Sequence, residues 1–481
     1  EALENNKQAL ICVPEIGLTP QMVERVQKRF GQDVIVYHSH LNHTERYLQY
    51  KRVLKGEKTV VVGTRSAIFL PFQDLALIVL DEEHDSSYKQ DSHPRYHTRD
   101  VAIKRAETHH ASLVLGSATP SFETFARASK GNYELVRMPL RVSGQLPKIY
   151  YVSTQRNQRQ MLANEIIQAI QKRLDDKEQI ILLINRRGYT PILQCSACQK
   201  SIECPNCDRL LHVHKADHKL KCHSCGFEKE LIYTCPSCGS THLRMLGLGT
   251  QKVEEELQRL FPTMRILRMD RDTTQVKDGH EKILKQFEAG EADCLLGTQM
   301  IAKGLDMPKV SCSIILEIDQ SLLGIDYRSV EDAFALVVQS AGRAGRLSNH
   351  GEVFVQTRMS DHYALKYAQN HDYESFFLKE MQYRHQGSNP PYTYLISITL
   401  SADQKEDALN PLYHIKEQFD STITVLGPSD LGKMMNRYRA RLILKGKDLS
   451  LMRESVQRLL PEWPIKQNVD VTIDVNPRSL F

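Results

Sequence analysis

The chain has 481 residues, too many for one hydrophobic core, so roughly three or more folding units are expected. Hydrophobic residues make up 41% and charged residues 25%, the balance of a globular chain, and no apolar run approaches the roughly 18 residues of a membrane span. The reading is therefore cytosolic, with no membrane partner. A net charge of only +5 excludes an overall basic field, so any nucleic-acid contact has to come from local patches.

The chain opens in what reads as mid-helix. Strands are expected over 9–13, 34–37, 59–63, 75–80 and 113–116, with helical stretches between them, one of which follows Thr19-Pro20 and lines up Val23, Val26 and Phe30. Repeated alternation of strand and helix means a parallel sheet covered on both faces. The unusual residues stand at the strand tips: Pro14-Glu15-Ile16-Gly17-Leu18-Thr19-Pro20, Gly63-Thr64-Arg65-Ser66-Ala67, Asp81-Glu82-Glu83-His84 and Gly116-Ser117-Ala118-Thr119-Pro120. Ligands of open α/β sheets bind at that edge.

The stretch Leu77 to His84 is the most informative. Four apolar residues closed abruptly by three carboxylates and a histidine read as a buried parallel strand with a wet C-terminal tip. Two adjacent carboxylates there suit one task, Asp81 holding Mg²⁺ on a nucleoside triphosphate through water while Glu82 orients and deprotonates the attacking water. A polar turn capping the next helix is the plain alternative. Directly after it, the segment 85–100 interleaves Tyr88 and Tyr96 with Lys89, Arg95 and Arg99. That mixture stacks on bases while tracking phosphates, and it equally describes a solvated loop.

A polar link over 155–160 leads to a helix with Ile166, Ile167, Ile170 and Leu174 on one side, then a strand over 179–184 ending in Asn185-Arg186-Arg187-Gly188-Tyr189. Eight of the eleven cysteines follow as four Cys-x-x-Cys pairs: Cys195/Cys198, Cys204/Cys207, Cys222/Cys225 and Cys235/Cys238. In a chain without export signals this spacing indicates metal rather than disulfides. Four pairs of thiolates make two tetrahedral Cys₄ sites, for which two structural Zn²⁺ ions are the expectation and iron–sulfur binding the rival. The inner pairs are spaced much like a zinc ribbon, and the outer pairs would then close around them. His212, His214, His218 and His223 are left over as solvent-facing residues, and Cys12, Cys294 and Cys312 as core residues. Structural zinc is folding free energy, so the insert reads as a docking or strand-separating element.

The α/β pattern resumes at Gly247-Leu248-Gly249-Thr250, with a helix through Val253, Leu257 and Leu260 and a strand over 265–269 before Asp270-Arg271-Asp272-Thr273. Gly297-Thr298-Gln299-Met300-Ile301-Ala302-Lys303-Gly304 and Gln339-Ser340-Ala341-Gly342-Arg343-Ala344-Gly345-Arg346 come next. Arg343 and Arg346, three apart, face the same way, as guanidinium groups reaching a γ-phosphate across a cleft would; two solvated arginines on a surface helix are the alternative. After Asn389-Pro390-Pro391 the expected order is strand 394–400, helix 405–419, strands 422–426 and 439–445, helix 449–460 and strand 469–475, the split βαβ or ferredoxin-like arrangement. The turn over 433–441 gathers Lys433, Arg437, Arg439 and Arg441 around Tyr438, either a solvated hairpin tip or a nucleic-acid patch.

The four early strand tips resemble motifs Ia, Ib, II and III of superfamily 2 helicases. The wording Val-Pro-Glu-Ile-Gly-Leu-Thr-Pro-Gln with Asp-Glu-Glu-His-Asp-Ser-Ser-Tyr-Lys-Gln is similar to the primosomal protein N′, or PriA, replication-restart helicase family, and the likeness runs to the C-terminus. The resemblance implies two RecA-like parallel-sheet lobes, 1–140 and 141–193 with 244–385, a two-zinc insert at 194–243 and a ferredoxin-like α+β domain at 390–481. It implies that the segments at Asn185, Gly297 and Gln339 are motifs IV, V and VI. His84, Gly304 and Gln339 would then line the nucleotide cleft with Asp81, Glu82, Arg343 and Arg346. Arg65, Tyr88, Lys89, Tyr96, Arg99, Thr298, Lys303, Arg437 and Arg439 would meet DNA, the aromatic-rich loop after motif II coupling strand binding to hydrolysis. It implies the nested cysteine pairing, ATP with Mg²⁺, and 3′-to-5′ unwinding at stalled forks. Forked and single-stranded DNA, primosome proteins and single-strand-binding protein would be the partners.

Two features depart from the family. Ser340 and Met307 stand where larger or aromatic residues are expected. A Gly-Lys-Thr phosphate loop, whose amides and lysine cradle the β and γ phosphates, is not found in the sequence. The expectation is a chain truncated at its N-terminus, without the DNA-binding region and phosphate loop, that binds ATP poorly. Another superfamily 2 translocase or a restriction-type motor, against which the eight-cysteine insert argues, and a non-catalytic zinc-stabilised DNA or primosome scaffold are the competing readings.

Overall fold

The computed structural model describes residues 2–14, 20–31, 34–39, 41–56, 59–138, 146–153, 161–185, 192–214, 218–222, 225–246, 250–270, 279–302, 307, 309–324, 326–345 and 351–480. They divide into two compact units, residues 1–185 with 257–379 and residues 186–256 with 380–481.

In the first unit, strands β1 (Gln8–Cys12), β2 (Val34–Tyr37), β3 (Val60–Gly63), β4 (Leu75–Leu80) and β5 (Ser112–Leu115) form a sheet in the order β2-β3-β1-β4-β5, every pair parallel. Its central strands are nearly continuous apolar runs because helices cover both faces of a parallel sheet, and Leu10, Val61, Ile78 and Leu80 are fully buried. A second sheet opens with β6 (Lys148–Val152) and β7 (Gln179–Ile184). The chain then leaves for the cysteine-rich strands β8 (Ile192–Cys195), β9 (Glu203–Cys204), β10 (Cys207–Leu210), β11 (His212–His214), β12 (Lys219–Lys221), β13 (Glu228–Glu230) and β14 (Leu243–Leu246). It returns with β15 (Ile266–Met269), β16 (Cys294–Gly297), β17 (Val310–Leu316) and β18 (Glu352–Gln356) to complete a six-stranded parallel sheet, β15-β16-β7-β17-β18-β6. All residues of β7 and β17 are buried, which places them at its centre.

The two sheets use the same device at corresponding tips. Gly63 ends β3 beside Tyr37 and Gly297 ends β16 beside Met269, and each is followed by a single turn of 3₁₀ helix, Arg65–Phe69 and Gln299–Ala302. A β-carbon on Gly63 would lie 2.6 Å from the Tyr37 carbonyl oxygen, and one on Gly297 would lie 2.4 Å from that of Met269. Backbone of a neighbouring strand cannot swing aside as a side chain can. Gly63→Ala and Gly297→Ala are therefore each expected to destabilise the fold by roughly 1–3 kcal/mol, read as a lowered thermal midpoint.

In the second unit, β13-β12-β11-β8-β14 form an antiparallel sheet and β9 pairs with β10. The C-terminal part is β19 (Tyr394–Ala402), helix Lys405–Glu417, β20 (Thr424–Met434), β21 (Arg437–Gly446), helix Leu449–Leu459 and β22 (Asp470–Val475). The sheet order β20-β21-β19-β22 with all pairs antiparallel is the split βαβ arrangement expected from the sequence. Its core comprises Ile396, Ile398, Leu400, Leu412, Ile415, Leu442, Leu444 and Trp463.

One boundary differs from expectation. The basic stretch over 433–441 is not a turn: β20 runs to Met434 and β21 starts at Arg437, leaving Met435-Asn436 as the whole connection. Gly427-Pro428 reads as a strand end, yet β20 is an edge strand and takes the proline at a register shift, where a missing amide costs no ladder bond. No described helix is long and apolar enough to cross a membrane.

Candidate functional site: a junction of two strand tips

Asp81 to His84 turn tightly off the end of β4. The Asp81 amide donates to the Cys12 carbonyl at 2.9 Å, the Glu82 amide to Asp81 Oδ1 at 3.1 Å and the Asp85 amide to the Glu82 carbonyl at 2.8 Å. Glu82 takes a left-handed backbone, φ +48, a conformation non-glycine residues adopt at a cost and often at functional sites. The three carboxylates divide between two roles. Asp81 is exposed and Glu82 half-buried, whereas Glu83 is 1% exposed. Glu83 accepts from the Ser121 amide at 2.6 Å, the Ser121 hydroxyl at 3.1 Å, the Thr124 hydroxyl at 3.0 Å and the Arg99 guanidinium at 3.4 Å. Glu83 thus ties the loop to the start of helix Phe122–Ser129, while Glu82 Oε2 lies 3.7 Å from His84 Nδ1.

Opposite them stands the helix Ser329–Arg343 of the second sheet. His84 Nδ1 pairs with the Ser117 hydroxyl at 2.7 Å and its Nε2 with the Gln339 side chain, which also donates to the Thr119 hydroxyl at 3.5 Å. Arg343, buried at the end of the same helix, is close enough for its charge to act on Asp81. Desolvation raises the Asp81 carboxyl above its ordinary range, and the Glu82 amide, the Arg343 guanidinium and His84 pull it back down. Residues from β4, from the tip of β5 and from the helix before β18 therefore meet at one point.

A latch beside this junction gave no signal in the sequence. Arg328 grips the Glu123 carboxylate at 2.5 and 3.3 Å, and the Glu331 carboxylate caps the Phe122 amide at 3.2 Å. Phe122 and Phe125 pack edge-on against Tyr373 and Phe377, with centroids 4.8 to 6.3 Å apart, and Phe334 stacks on Phe376 at 4.1 Å. The partners that Arg328 and Glu331 hold lie 205 and 209 residues away in the chain, so no local pattern announces them.

The residues expected to meet DNA after motif II mostly face inward. Tyr88 is 1% exposed, and its hydroxyl donates to the Cys12 carbonyl at 2.8 Å and the Asp81 carbonyl at 2.7 Å. Its ring is core rather than a stacking platform, and burial raises its hydroxyl pKa. Lys89 is buried, Arg65 donates to the Ser87 and Lys89 carbonyls at 2.8 Å each, and Arg99 serves Glu83, Ser121 and Thr124. The physical reason is that a tight loop buries carbonyls that need donors, and the Tyr and Arg side chains supply them. Tyr96 is half-buried, its ring edge-on to the exposed Phe69 at 4.8 Å.

Arg437 is likewise engaged, donating to the Ser401 carbonyl at 2.6 Å and the Asn468 carbonyl at 2.7 Å between Asp403 and Asp470. Arg439 sits on β21 opposite Ser401. Thr298 follows β16, half-buried, its carbonyl accepting from the Ile301 amide at 3.1 Å. Ser340 and Met307 are buried. Lys303, Gly304 and Arg346, the tip 15–19, the link 155–160, the turn 186–189, the start of the segment at Gly247 and the residues after Asp270 lie outside the described residues.

The cysteines form two groups. The sulfurs of Cys195, Cys198, Cys235 and Cys238 lie within 4.8 Å of one another, as do those of Cys204, Cys222 and Cys225. The Cys207 side chain lies outside the described residues, and its backbone pairs with Cys204. The outer pairs thus share one cluster, and Cys204 shares the other with Cys222 and Cys225. Sulfur separations of 3.6 Å for Cys195 to Cys238, 3.7 Å for Cys198 to Cys235 and 3.6 Å for Cys204 to Cys225 are too long for disulfides. Bonds of about 2.3 Å to one tetrahedral ion put its thiolates about 3.8 Å apart, so the thiols fit a single metal ion in each cluster. The Cys198 amide holds the Cys195 thiol down to about 6 while the neighbouring sulfurs push that of Cys238 up to about 12, so the thiols of this cluster share their protons.

Comparison with known proteins places these features. Residues 1–128 match the DEAD/DEAH box helicase family model, residues 238–348 the helicase conserved C-terminal domain, and residues 385–478 the primosomal protein N C-terminal domain. The chain is 42% identical over 495 residues to the replication restart protein PriA of Bacillus subtilis, covering 100% of this chain and 62% of that protein. It is 37% identical over 493 residues to PriA of Haemophilus influenzae, covering 100% of this chain and 67% of that protein. With PriA of Rickettsia felis it shares 34% over 492 residues, covering 100% of this chain and 75% of the relative.

Proposed function

The chain belongs to the PriA family of replication restart proteins, and from that membership we propose that its two RecA-like lobes form a motor that hydrolyses ATP to unwind DNA 3′ to 5′. It acts at stalled forks in the cytoplasm, on forked and single-stranded DNA, and initiates primosome assembly with other primosome proteins and single-strand-binding protein. The lobes are residues 1–140 and 141–193 with 244–385, the metal insert 194–243 and the C-terminal domain 390–481. The observation that carries the reading is the bridge from His84 to Ser117 on one side and Gln339 on the other, with the Arg343 charge on Asp81. Acid, base and guanidinium converge where two sheets meet, as phosphoryl transfer by positioning and charge stabilisation requires.

ATP supplies the bond that is broken, and Mg²⁺ bound with it would offset the phosphate charge. Asp81 would hold that Mg²⁺, and Glu82, whose backbone is left-handed, takes the proton of the attacking water. His84 passes the state of that loop to Gln339, and Gly304, by its motif alone, is assigned to the same nucleotide cleft. Arg343, with Arg346, offsets the charge that develops on the phosphoryl oxygens. Each cysteine cluster holds one Zn²⁺; four thiolates would serve an iron–sulfur cluster equally, but sulfur separations of 3.6 to 3.7 Å suit one tetrahedral ion better than a multi-iron core, which holds its thiolates farther apart. Tyr96, Thr298 and Arg439, with Lys303 by its motif alone, are the residues assigned to the nucleic acid in this reading.

The chain spans 62% of the length of the Bacillus subtilis relative, and its sequence contains no Gly-Lys-Thr or Gly-Lys-Ser. A P-loop motor draws its phosphate grip from that element, so the 481-residue polypeptide by itself is expected to bind ATP weakly and to behave as a zinc-stabilised DNA scaffold. DNA-stimulated ATPase rates decide this. The polypeptide alone is expected to show no stimulation, and the same polypeptide joined to the N-terminal segment of the Bacillus subtilis relative is expected to show it. Full stimulation of the polypeptide alone, or none in the joined protein, contradicts the reading.

A further inference from the structure

The second cysteine cluster does more than staple its own strands. Its knuckle, Cys204-Pro205-Asn206-Cys207, makes the turn between β9 and β10, and the Asn206 carbonyl within that turn accepts a 2.9 Å hydrogen bond from the Asn436 amide. Asn436 belongs to the tip of the β20 and β21 hairpin of the C-terminal domain. Met434, the last residue of β20, packs on the module's core of Leu193, Ile202, Leu211, Val213 and Leu220 with Cys204 and Cys222. Two residues of the core that receives Met434 are thus members of the cluster itself.

The tip is built unusually. Met435 and Asn436 are both left-handed, φ +52 and +62, the pair of conformations a two-residue type I′ turn demands. Glycine, asparagine or aspartate fill such positions cheaply; methionine does not. The conformation holds the Asn436 amide at the Asn206 carbonyl, so the cost is borne where the two modules join.

We propose that the metal of the second cluster is a clasp for the C-terminal domain: loading it shapes the knuckle on which the β20 and β21 hairpin docks, and losing it frees the hairpin. This rests on the reading that Cys204, Cys207, Cys222 and Cys225 hold a metal ion. The seven buried residues of the module's core include two cluster cysteines, and β9 is two residues long. A core this small does not hold its shape without a staple. When the ion leaves, the seat of Met434 and the placement of the Asn206 carbonyl go with it. None of the four thiols of the first cluster belongs to the core under Met434. Linkage is reciprocal, so a hairpin that docks better when metal is bound also slows the metal's departure.

Hydrogen–deuterium exchange and metal content of the 481-residue chain test the clasp. Cys222→Ser is expected to lose one ion and to speed exchange across residues 432–438 by about tenfold, the equivalent of a hydrogen bond of about 1.4 kcal/mol. Cys235→Ser is expected to lose the other ion and leave that exchange as it was. Met434→Ala, which alters no ligand, is expected to release the second ion to a chelator several-fold faster. Hairpin exchange that stays slow in Cys222→Ser after its ion is gone, or that rises equally in Cys235→Ser, overturns the clasp and leaves the metal reading intact; so does unchanged release from Met434→Ala. A wild-type chain that takes up no ion at the second cluster overturns both.

Discussion

Glu82→Gln is expected to lower DNA-stimulated ATP turnover by roughly 10²- to 10⁴-fold, the usual contribution of a positioned general base, with affinity for single-stranded DNA unchanged. The comparison is made in the polypeptide joined to the N-terminal segment of the Bacillus subtilis relative. The amide keeps the shape of the side chain and the left-handed turn at φ +48, so the loss reports the missing base. Glu83→Gln should behave differently although it is the next residue. Its carboxylate is buried and receives the Ser121 amide, two hydroxyls and the Arg99 guanidinium. Neutralising it removes the nearer and buried of the two charge partners of Arg99, itself little exposed, leaving only the exposed Asp100 at 4.0 Å, which costs about 1–3 kcal/mol of stability. A thermal midpoint that falls for Glu83→Gln and holds for Glu82→Gln, with turnover behaving the opposite way, would separate the two roles.

Metal removal is expected to have the largest effect on folding. Apparent binding free energies of structural zinc in small modules are about 10–16 kcal/mol, more than a core of Leu193, Ile202, Leu211, Val213 and Leu220 with two cysteines can replace. A chelator strong enough to strip both clusters should abolish exchange protection in the cysteine-rich strands. The two parallel sheets, of which the six-stranded one has central strands β7 and β17 buried along their whole length, should keep theirs. Two zinc ions per folded chain is the expected stoichiometry, and fewer than two, or protection indifferent to chelation, would count against the assignment.

What the sequence made legible follows from how local the signal is. Buried parallel strands are apolar along their whole length, so the alternating pattern and the strand tips could be placed to within a residue or two. The cysteine pairs carry their spacing with them. By contrast, which of Asp81, Glu82 and Glu83 faces the core is decided by Ser121 and Thr124, about forty residues away. Tyr88, Lys89, Arg65 and Arg99 have the composition of a nucleic-acid loop, but composition is the same whether a guanidinium meets a phosphate or a buried carbonyl. The extent of the turn near Arg437 differs because β20 continues through Pro428, which its place at a register shift on a sheet edge makes harmless. The latch of Arg328 and Glu331 on the helix Phe122–Ser129 had no local signature at all.

These contacts make one claim about function: the second lobe completes the site that the first lobe begins. The measurement that meets it most directly is single-turnover ATP hydrolysis by the joined polypeptide carrying Arg343→Ala. A fall of about 10³-fold or more in the hydrolysis rate, with nucleotide affinity little changed, is the result expected of a guanidinium that acts on the transition state from across the junction. Hydrolysis at the unaltered rate would contradict it.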